Sequence, residues 1–377
     1  MTTEQGERTT SPTSPASPAS PMAAIDDGYR SFLQRAHVDR TTGRMLVLTV
    51  LTFTVFAALN PQVFLNPLNL QNIAVASPEI GVLAIAMMLA MLTGGIDLSL
   101  VAIANLSAIT ISTTYTAIAS GNPSLAESLT PVLVLEGVLV GLVAGAVNGV
   151  LVSRAGITPI LATLGTMQVF NGIAVAWTGG STLYGLPKSL ANMGMATVAG
   201  VPVLFVIFLL VAGAMGLFVA RTPAGLRTQL QGANPVAAKF SGIDSASVLM
   251  RTYMVAGTLG GLAGVLFVTR NPIASADYGA SYVLLIIVIA VLGGTNPSGG
   301  FATVAGVVLA TLTLQILASG FTAMRLSAYE YAIAQGVILI LVMITDQMRL
   351  RRRRRRRQAG PDKVAPQTTD KTLTSGR

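Results

Sequence analysis

Covalent or metal chemistry needs nucleophiles, bases or ligands, and this chain offers few. It has no Cys and one His, His37, in the N-terminal segment. A thiolate, a disulfide, a His-based triad and a His metal site are therefore excluded. No G-x-x-x-x-G-K-[ST] run occurs, so the chain does not cradle phosphate as a P-loop ATPase does. What remains is a scatter of polar residues inside apolar runs: Glu79 beside Pro78, Asn105, Glu136, Asn148, Gln168, Asn171, Gln315 and Glu330. Such residues are costly in hydrocarbon, and they mark helix–helix bonds or a path for a polar substrate. Glu136 and Glu330 fall near the outer ends of their runs, where the water interface accounts for them. Glu79, Asn105, Asn148, Gln168 and Asn171 are the candidates for a substrate pathway.

The elements that hold these residues must be membrane spans. Of 377 residues, 52 % are apolar and 10 % charged, against about 25 % charged in a soluble domain. There are too few charges to cover a soluble globule of this length, so lipid is part of the solvent. Long apolar runs broken at Gly, Pro and Asn predict an all-α polytopic protein of about ten transmembrane helices. They lie near 45–60, 73–92, 98–119, 129–152, 159–178, 202–220, 247–269, 281–293, 301–319 and 328–346. The eighth is short for a span and is expected to borrow residues from Ala274 onward or to enter at an angle. The third is rich in Ser and Thr and is expected to face other helices or a cavity. Gly141, Gly145 and Gly149, with Gly257, Gly260, Gly261 and Gly264, let helix backbones approach closely.

Charge sets the orientation. The formal net charge is +9. Residues 1–44 carry five basic and five acidic residues, and residues 45–348 carry eight of each. Residues 349–377 carry eleven basic against two acidic, so the whole excess lies in the tail. With the N-terminus inside, the inner loops hold Arg154, Arg221, Arg227, Lys239 and Arg251. The outer loops hold only Lys188, Arg270 and Arg325, which agrees with the positive-inside rule. Three regions follow: a Ser/Thr/Pro-rich tail over 1–44, a transmembrane body over 45–348, and a basic, disordered tail over 349–377. Both termini are expected in the cytoplasm. The run Arg351–Arg357 reads as a topological anchor touching anionic headgroups. No aromatic residues interleave it, which argues against nucleic acid.

Three inner segments carry motifs. Thr93-Gly94-Gly95-Ile96-Asp97-Leu98-Ser99 joins spans two and three, with Asp97 and Ser99 where a helix start needs caps. Gly293-Gly294-Thr295-Asn296-Pro297-Ser298-Gly299-Gly300 joins spans eight and nine, and the two Gly pairs hint at an internal repeat. The longest inner loop, 221–246, has Pro223 and Pro235 as helix starts, Asn234 as a cap and Gly242 as a stop. It predicts a short helix across the cytoplasmic face, presenting small residues and Phe240. It reads either as an amphipathic connector or as a docking element for a soluble partner.

These segments together resemble the permease subunit of a bacterial ATP-binding cassette importer of the ribose/simple-sugar permease family. The resemblance covers roughly residues 45–348. It rests on 93–99, on residues 147–166, on Gly232 to Ala238 with Ser241-Gly242-Ile243, and on Gly293-Gly294-Thr295 followed by Gly299-Gly300. Residues 147–166 read Val-Asn-Gly-Val-Leu-Val-Ser-Arg-Ala-Gly-Ile-Thr-Pro-Ile-Leu-Ala-Thr-Leu-Gly-Thr. The N-terminal tail, the Arg run and Asn296-Pro297-Ser298 before the second Gly pair depart from the family pattern.

The resemblance implies a non-enzymatic subunit of the bacterial plasma membrane that passes a monosaccharide inward. This chain would bind no cofactor, and ATP and Mg would sit on a separate ATPase subunit. An extracytoplasmic sugar-binding protein and a second permease subunit, as a homodimer, complete the expected assembly. Gly232, Ala233, Asn234, Ala237, Ala238, Ser241 and Gly242 would couple to the ATPase. Gly94, Gly95, Asp97, Ser99, Gly293, Gly294 and Thr295 would form the inner-face motifs. A branched-chain amino-acid permease of the related importer group is the alternative. An ion-coupled carrier needs buried titratable groups, of which Glu79 is the one acidic candidate away from a helix end. An intramembrane enzyme lacks any catalytic constellation.

Overall fold

A computed structural model describes residues 40–340, apart from 328, 338 and 339. His37, most of the N-terminal tail, the C-terminal tail with Arg351–Arg357 and most of the expected tenth span lie outside the described residues. Residues 329–337 are helical.

Asn-Pro is the recurring start signal. Asn60, Asn66, Asn122 and Asn234 each cap a helix that opens on the following Pro, and each side chain accepts a backbone N–H of the first turn. Proline suits a first helical position because its missing N–H would be unpaired there anyway. The helices in chain order are α1 (Arg40–Leu59), α2 (Pro61–Phe64), α3 (Pro67–Leu92), α4 (Leu100–Ala119), α5 (Pro123–Ser128), α6 (Thr130–Ser153) and α7 (Pro159–Thr178), of which α2, α3 and α5 use this start. A short helix α8 (Lys188–Met195) and a two-residue hairpin, β1 (Thr197–Val198) with β2 (Val201–Pro202), lead into α9 (Val203–Arg221). Then come α10 (Pro223–Ala233), α11 (Pro235–Phe240), α12 (Ser245–Arg270), α13 (Tyr282–Leu292) and α14 (Val304–Ala323).

Eight of these helices are long and apolar enough to cross a membrane: α1, α3, α4, α6, α7, α9, α12 and α14. The α3 helix is the axis of the bundle. Its residues from Ser77 to Leu92 are buried on every face, as befits a helix apolar all round. Side chains from α9, α12, α13 and α14 close over it. It starts six residues before the expected span because Asn66-Pro67 nucleates a turn ahead of the apolar run. Pro78 and Glu79 therefore sit near its middle and not near its outer end. The Ser/Thr-rich α4 is buried along residues 100–112, as expected.

The helices α6 and α12 pack backbone to backbone. A Cβ on Gly141 would lie 2.3 Å from the Gly257 carbonyl oxygen, and one on Gly145 2.3 Å from that of Tyr253. Side chains larger than hydrogen do not fit, so the glycines set this crossing.

The α13 helix, at 11 residues, is only about 16 Å long and cannot cross the roughly 30 Å core. It does not borrow from Ala274, because residues 271–281 are non-helical. That irregular segment dips to the depth of mid-α3 and lower α4, where Glu79 and Asn105 hold it. Backbone of this kind survives at membrane depth only when buried in protein or lining a water-filled cavity.

Candidate functional site

Two regions gather the functional side chains. The first is the end of the bundle where α3 and α13 stop. Both helices end in the same turn, 200 residues apart. Gly94 N donates to Met91 O and Gly95 N to Ala90 O, at 2.9 and 3.2 Å; Gly294 N donates to Val291 O and Thr295 N to Ala290 O, at 2.9 and 3.0 Å. This is the Schellman pattern, which needs a left-handed residue just past the helix. Gly94 and Gly294 supply it, with φ of +83° and +92°. The repeat hinted at by the Gly pairs is thus a repeat of local geometry.

The first turn meets the end of α10 and the second Gly pair, Gly299-Gly300, whereas Gly293 and Gly294 pack on Val307 and Thr41. Gly300 N donates to Leu92 O at 2.9 Å. A Cβ on Gly232 would sit 1.9 Å from Leu92 O and 2.6 Å from Gly300 N. One on Gly299 would sit 2.7 Å from Gly232 O and 2.9 Å from Gly94 N. Three separate segments therefore meet at backbone contact.

A polar chain ties the first turn sideways. Asp97 Oδ1 accepts from Ser99 N at 3.0 Å and Ser99 Oγ at 2.6 Å. Asn148 Nδ2 donates to Ser99 Oγ at 2.7 Å, and Thr166 Oγ1 donates to Asn148 Oδ1 at 2.6 Å. Thr163 Oγ1 accepts from Leu98 N and donates to Ile96 O, both at 3.1 Å. The turn is thereby held to α6 and α7. Ser99 does not cap α4 with its side chain, contrary to expectation: its backbone is already helical, and its hydroxyl is engaged by Asp97 and Asn148. Asp97 is fully buried, and its Oδ2 has no partner among the described residues. Burial pushes its carboxyl up to about 6, against the pull of the Ser99 and Asn148 bonds.

Beside this junction, Asn234 Oδ1 accepts from Ala237 N at 3.0 Å and starts α11. Gly242, at φ +77°, ends it. The surface it offers is smaller than the sequence suggests. Gly232 and Ala238 are buried against the body, so neither is presented outward. Ala233, Asn234, Ala237, Ser241 and Gly242 are exposed. Val236 and Phe240 project most, with Phe240 89 % exposed.

The second region lies at mid-depth. Glu79, 1 % exposed, is ion-paired and hydrogen-bonded to Arg270 at the end of α12. It also accepts from Tyr278 and Tyr282 hydroxyls, both at 3.2 Å. Asn271 Nδ2 donates to Tyr278 Oη at 2.6 Å, and Phe267 packs on the Tyr278 ring at 4.7 Å between centroids. Asn105 Nδ2 donates to Ala276 O at 2.7 Å. Leu183 and Ala274 exchange both backbone bonds, at 2.8 and 2.9 Å. These contacts pin the irregular 271–281 segment and the helix ends, Arg270 and Tyr282, that flank it.

The five expected pathway residues do not converge. Glu79 and Asn105 hold the irregular segment, and Asn148 belongs to the glycine-turn network. Gln168 is exposed and Asn171 half-buried, both on α7. Glu136 accepts from Thr114 Oγ1 at 2.8 Å, Gln315 Nε2 donates to Ala76 O at 3.3 Å, and Glu330 accepts from Ser327 N at 2.6 Å. Arg270, Tyr278 and Tyr282 were not among the sequence candidates, and Arg270 was read as a loop charge. The available signal was a lone acid in one span and a lone base at the end of another.

Comparison with known proteins then gives a consistent set of relatives. A family model described as "Branched-chain amino acid transport system / permease component" matches residues 69–344. The chain is 32 % identical over 316 residues to a ribose import permease of Bacillus subtilis, covering 82 % of this chain and 94 % of the relative. It is 30 % identical over 298 residues to a D-allose transport system permease of Escherichia coli, covering 79 % and 89 %. An autoinducer 2 import system permease of Yersinia enterocolitica is 32 % identical over 271 residues, covering 70 % and 79 %. No solved structure matches the chain.

Proposed function

The chain belongs to the permease family whose model spans residues 69–344, and on that premise we propose that it is the transmembrane subunit of an ATP-driven importer for a simple sugar. The observation that carries the substrate class is the identity, over most of both chains, to permeases named for ribose and for D-allose. A branched-chain amino acid, which the family description names, is the competing substrate.

The glycine-turn end faces the cytoplasm in this reading. Arg154, Arg221, Arg227, Lys239 and Arg251 lie toward that end, which supports placing it inside by the positive-inside rule. The chain has no phosphate-binding loop of its own, so ATP and Mg reside on a separate ATPase subunit. The exposed small residues Ala233, Asn234, Ala237, Ser241 and Gly242, with Phe240 as a protruding knob, form the surface that seats on that subunit. Closure of the ATPase on ATP moves this surface. The free energy then shifts the spans between outward- and inward-open arrangements, because the partner contacts differ between the two. A sugar-binding protein delivers substrate from the opposite side.

A second permease copy completes the pore. Gln168 is a polar amide exposed on a membrane span, which hydrocarbon alone disfavours. Gly165 and Gly172 flank it with open space beyond their Cα atoms. A facing protein surface or a water-lined path satisfies both features, and the α7 face is where a second copy and the sugar path would meet.

The test is ATP hydrolysis by the complex reconstituted with its ATPase and binding protein. Stimulation by a ribose- or allose-loaded binding protein, and none by leucine, supports the reading. Stimulation by leucine alone replaces the substrate with a branched-chain amino acid.

A further inference from the structure

We propose that the Gly232–Leu92–Gly300 backbone junction is a rigid weld, which makes α3 and the Ser298–Gly300 segment move as one body with the α10–α11 surface. The inference rests on the coupling reading above and adds to it the element through which motion passes.

A docking surface can drive a pore only if its displacement reaches helices that line or shape the pore. A flexible loop between them would absorb the motion. Here no such slack exists. The segment bearing the docking surface meets the end of α3 and the Gly299-Gly300 pair at backbone contact, with no flexible side chain interposed. Gly232 is enclosed by the Leu92 carbonyl and the Gly300 amide, 1.9 and 2.6 Å from where its Cβ would be. The Gly299 and Gly300 backbones close on Gly232 and Ala233 from the other side, at 2.7 Å each from their own Cβ positions to Gly232 O and Ala233 Cα. The Gly300 N–H to Leu92 O bond, 2.9 Å, ties the second Gly pair to the last residue of α3. Gly94, Gly294, Gly299 and Gly300 all hold positive φ, so these turns have no low-cost alternative with side chains present. Close-packed groups of this kind shift as a block or not at all.

α3 is the buried axis of the bundle, and its Glu79 is locked to the irregular 271–281 segment. Moving α3 with the docking surface carries displacement to mid-depth without deforming the core.

The chain has no Cys, so introduced thiols are unique. In the complex reconstituted with its ATPase and binding protein, Thr93→Cys with Ser298→Cys, which lie outside the docking surface where Gly94 meets the Ser298 carbonyl, is tethered by a short reducible crosslinker, and intramolecular tethering is confirmed by gel mobility. A weld predicts that tethered and reduced samples take up sugar at the same rate. Uptake lost on tethering and restored by reduction shows that the two segments slide, and overturns the proposal while leaving the coupling reading intact. Failure of the unmodified chain to hold an ATPase overturns the coupling reading instead. The second variant is Gly232→Val. It keeps the exposed docking surface, so the ATPase still co-purifies and hydrolyses ATP, but sugar moved per ATP falls by about 5–150-fold. Unchanged coupling in Gly232→Val overturns the weld.

Discussion

The glycine-turn end and the mid-depth lock solve opposite problems with opposite chemistry. At the turn end, Leu92, Gly232 and Gly299-Gly300 are joined through bare backbone, with the polar chain from Asp97 to Thr166 beside them. At mid-depth, one irregular segment is held by long side chains: a carboxylate, a guanidinium, two phenols and two carboxamides. Backbone contact leaves no rotamers to change, so it transmits displacement. Side-chain networks fix a segment whose own backbone polar groups would otherwise face hydrocarbon. The first region is built to move as a block, and the second to keep an irregular element in place while it does.

The contrast can be broken most severely at Glu79. Removing one partner of a buried pair strands the other charge, at a cost of about 3–5 kcal/mol. Glu79→Ala and Arg270→Ala should each lower the thermal midpoint of the purified protein sharply, with Glu79→Leu/Arg270→Met far milder than either. Equal loss in the double variant would mean that packing, not charge, holds the segment.

Asp97 gives the next effect, and its sign differs. Its carboxyl is raised from 3.8 to about 6, so the folded protein holds the proton more tightly than the unfolded chain. Stability from this group is present in full below pH 3.8, falls between 3.8 and 6, and is lost above 6. Two units correspond to about 3 kcal/mol. Asp97→Asn keeps an acceptor for Ser99 and cannot titrate. The parent should therefore lose stability relative to this variant as pH rises from 4 to 8, read by thermal unfolding at each pH. Parallel curves would remove burial as the cause.

Gly232→Val follows: a Cβ there meets the Leu92 carbonyl oxygen and the Gly300 amide, so the thermal midpoint falls by the equivalent of about 1–3 kcal/mol, and sugar moved per ATP falls in the protein that stays folded; unchanged sugar per ATP would remove the junction from coupling. The smallest effect is Tyr278→Phe. It removes one of the bonds to Glu79 and leaves Asn271 without its acceptor, for about 1–2 kcal/mol. No change in stability would show that Arg270 and Tyr282 suffice to hold the segment.

Much of this fold was legible. Hydropathy located the spans, and Asn-Pro marked several starts. The glycine motifs pointed to the segments that meet at one end. The shortness of α13 was readable too, but its cause was not, because the bonds that hold residues 271–281 come from partners distant in sequence. Glu79 and Arg270 are 191 residues apart, so periodicity within either helix cannot pair them. Ser99 has the residue type and position of a cap, yet tertiary bonds claimed its hydroxyl. Gly232 and Ala238 look like surface residues of a docking helix because they are small. The structure makes them small because they are covered. Gln168 sits in an apolar run like a buried pathway residue, but it lies on an open helix face.

The central claim is that this chain passes a simple sugar inward at the expense of ATP hydrolysed on another subunit. Uptake of labelled ribose and D-allose into proteoliposomes holding this permease, its ATPase and its binding protein tests it most directly. The account expects sugar to accumulate only with ATP and all three components present. Accumulation without the ATPase, or of leucine in place of either sugar, would contradict it.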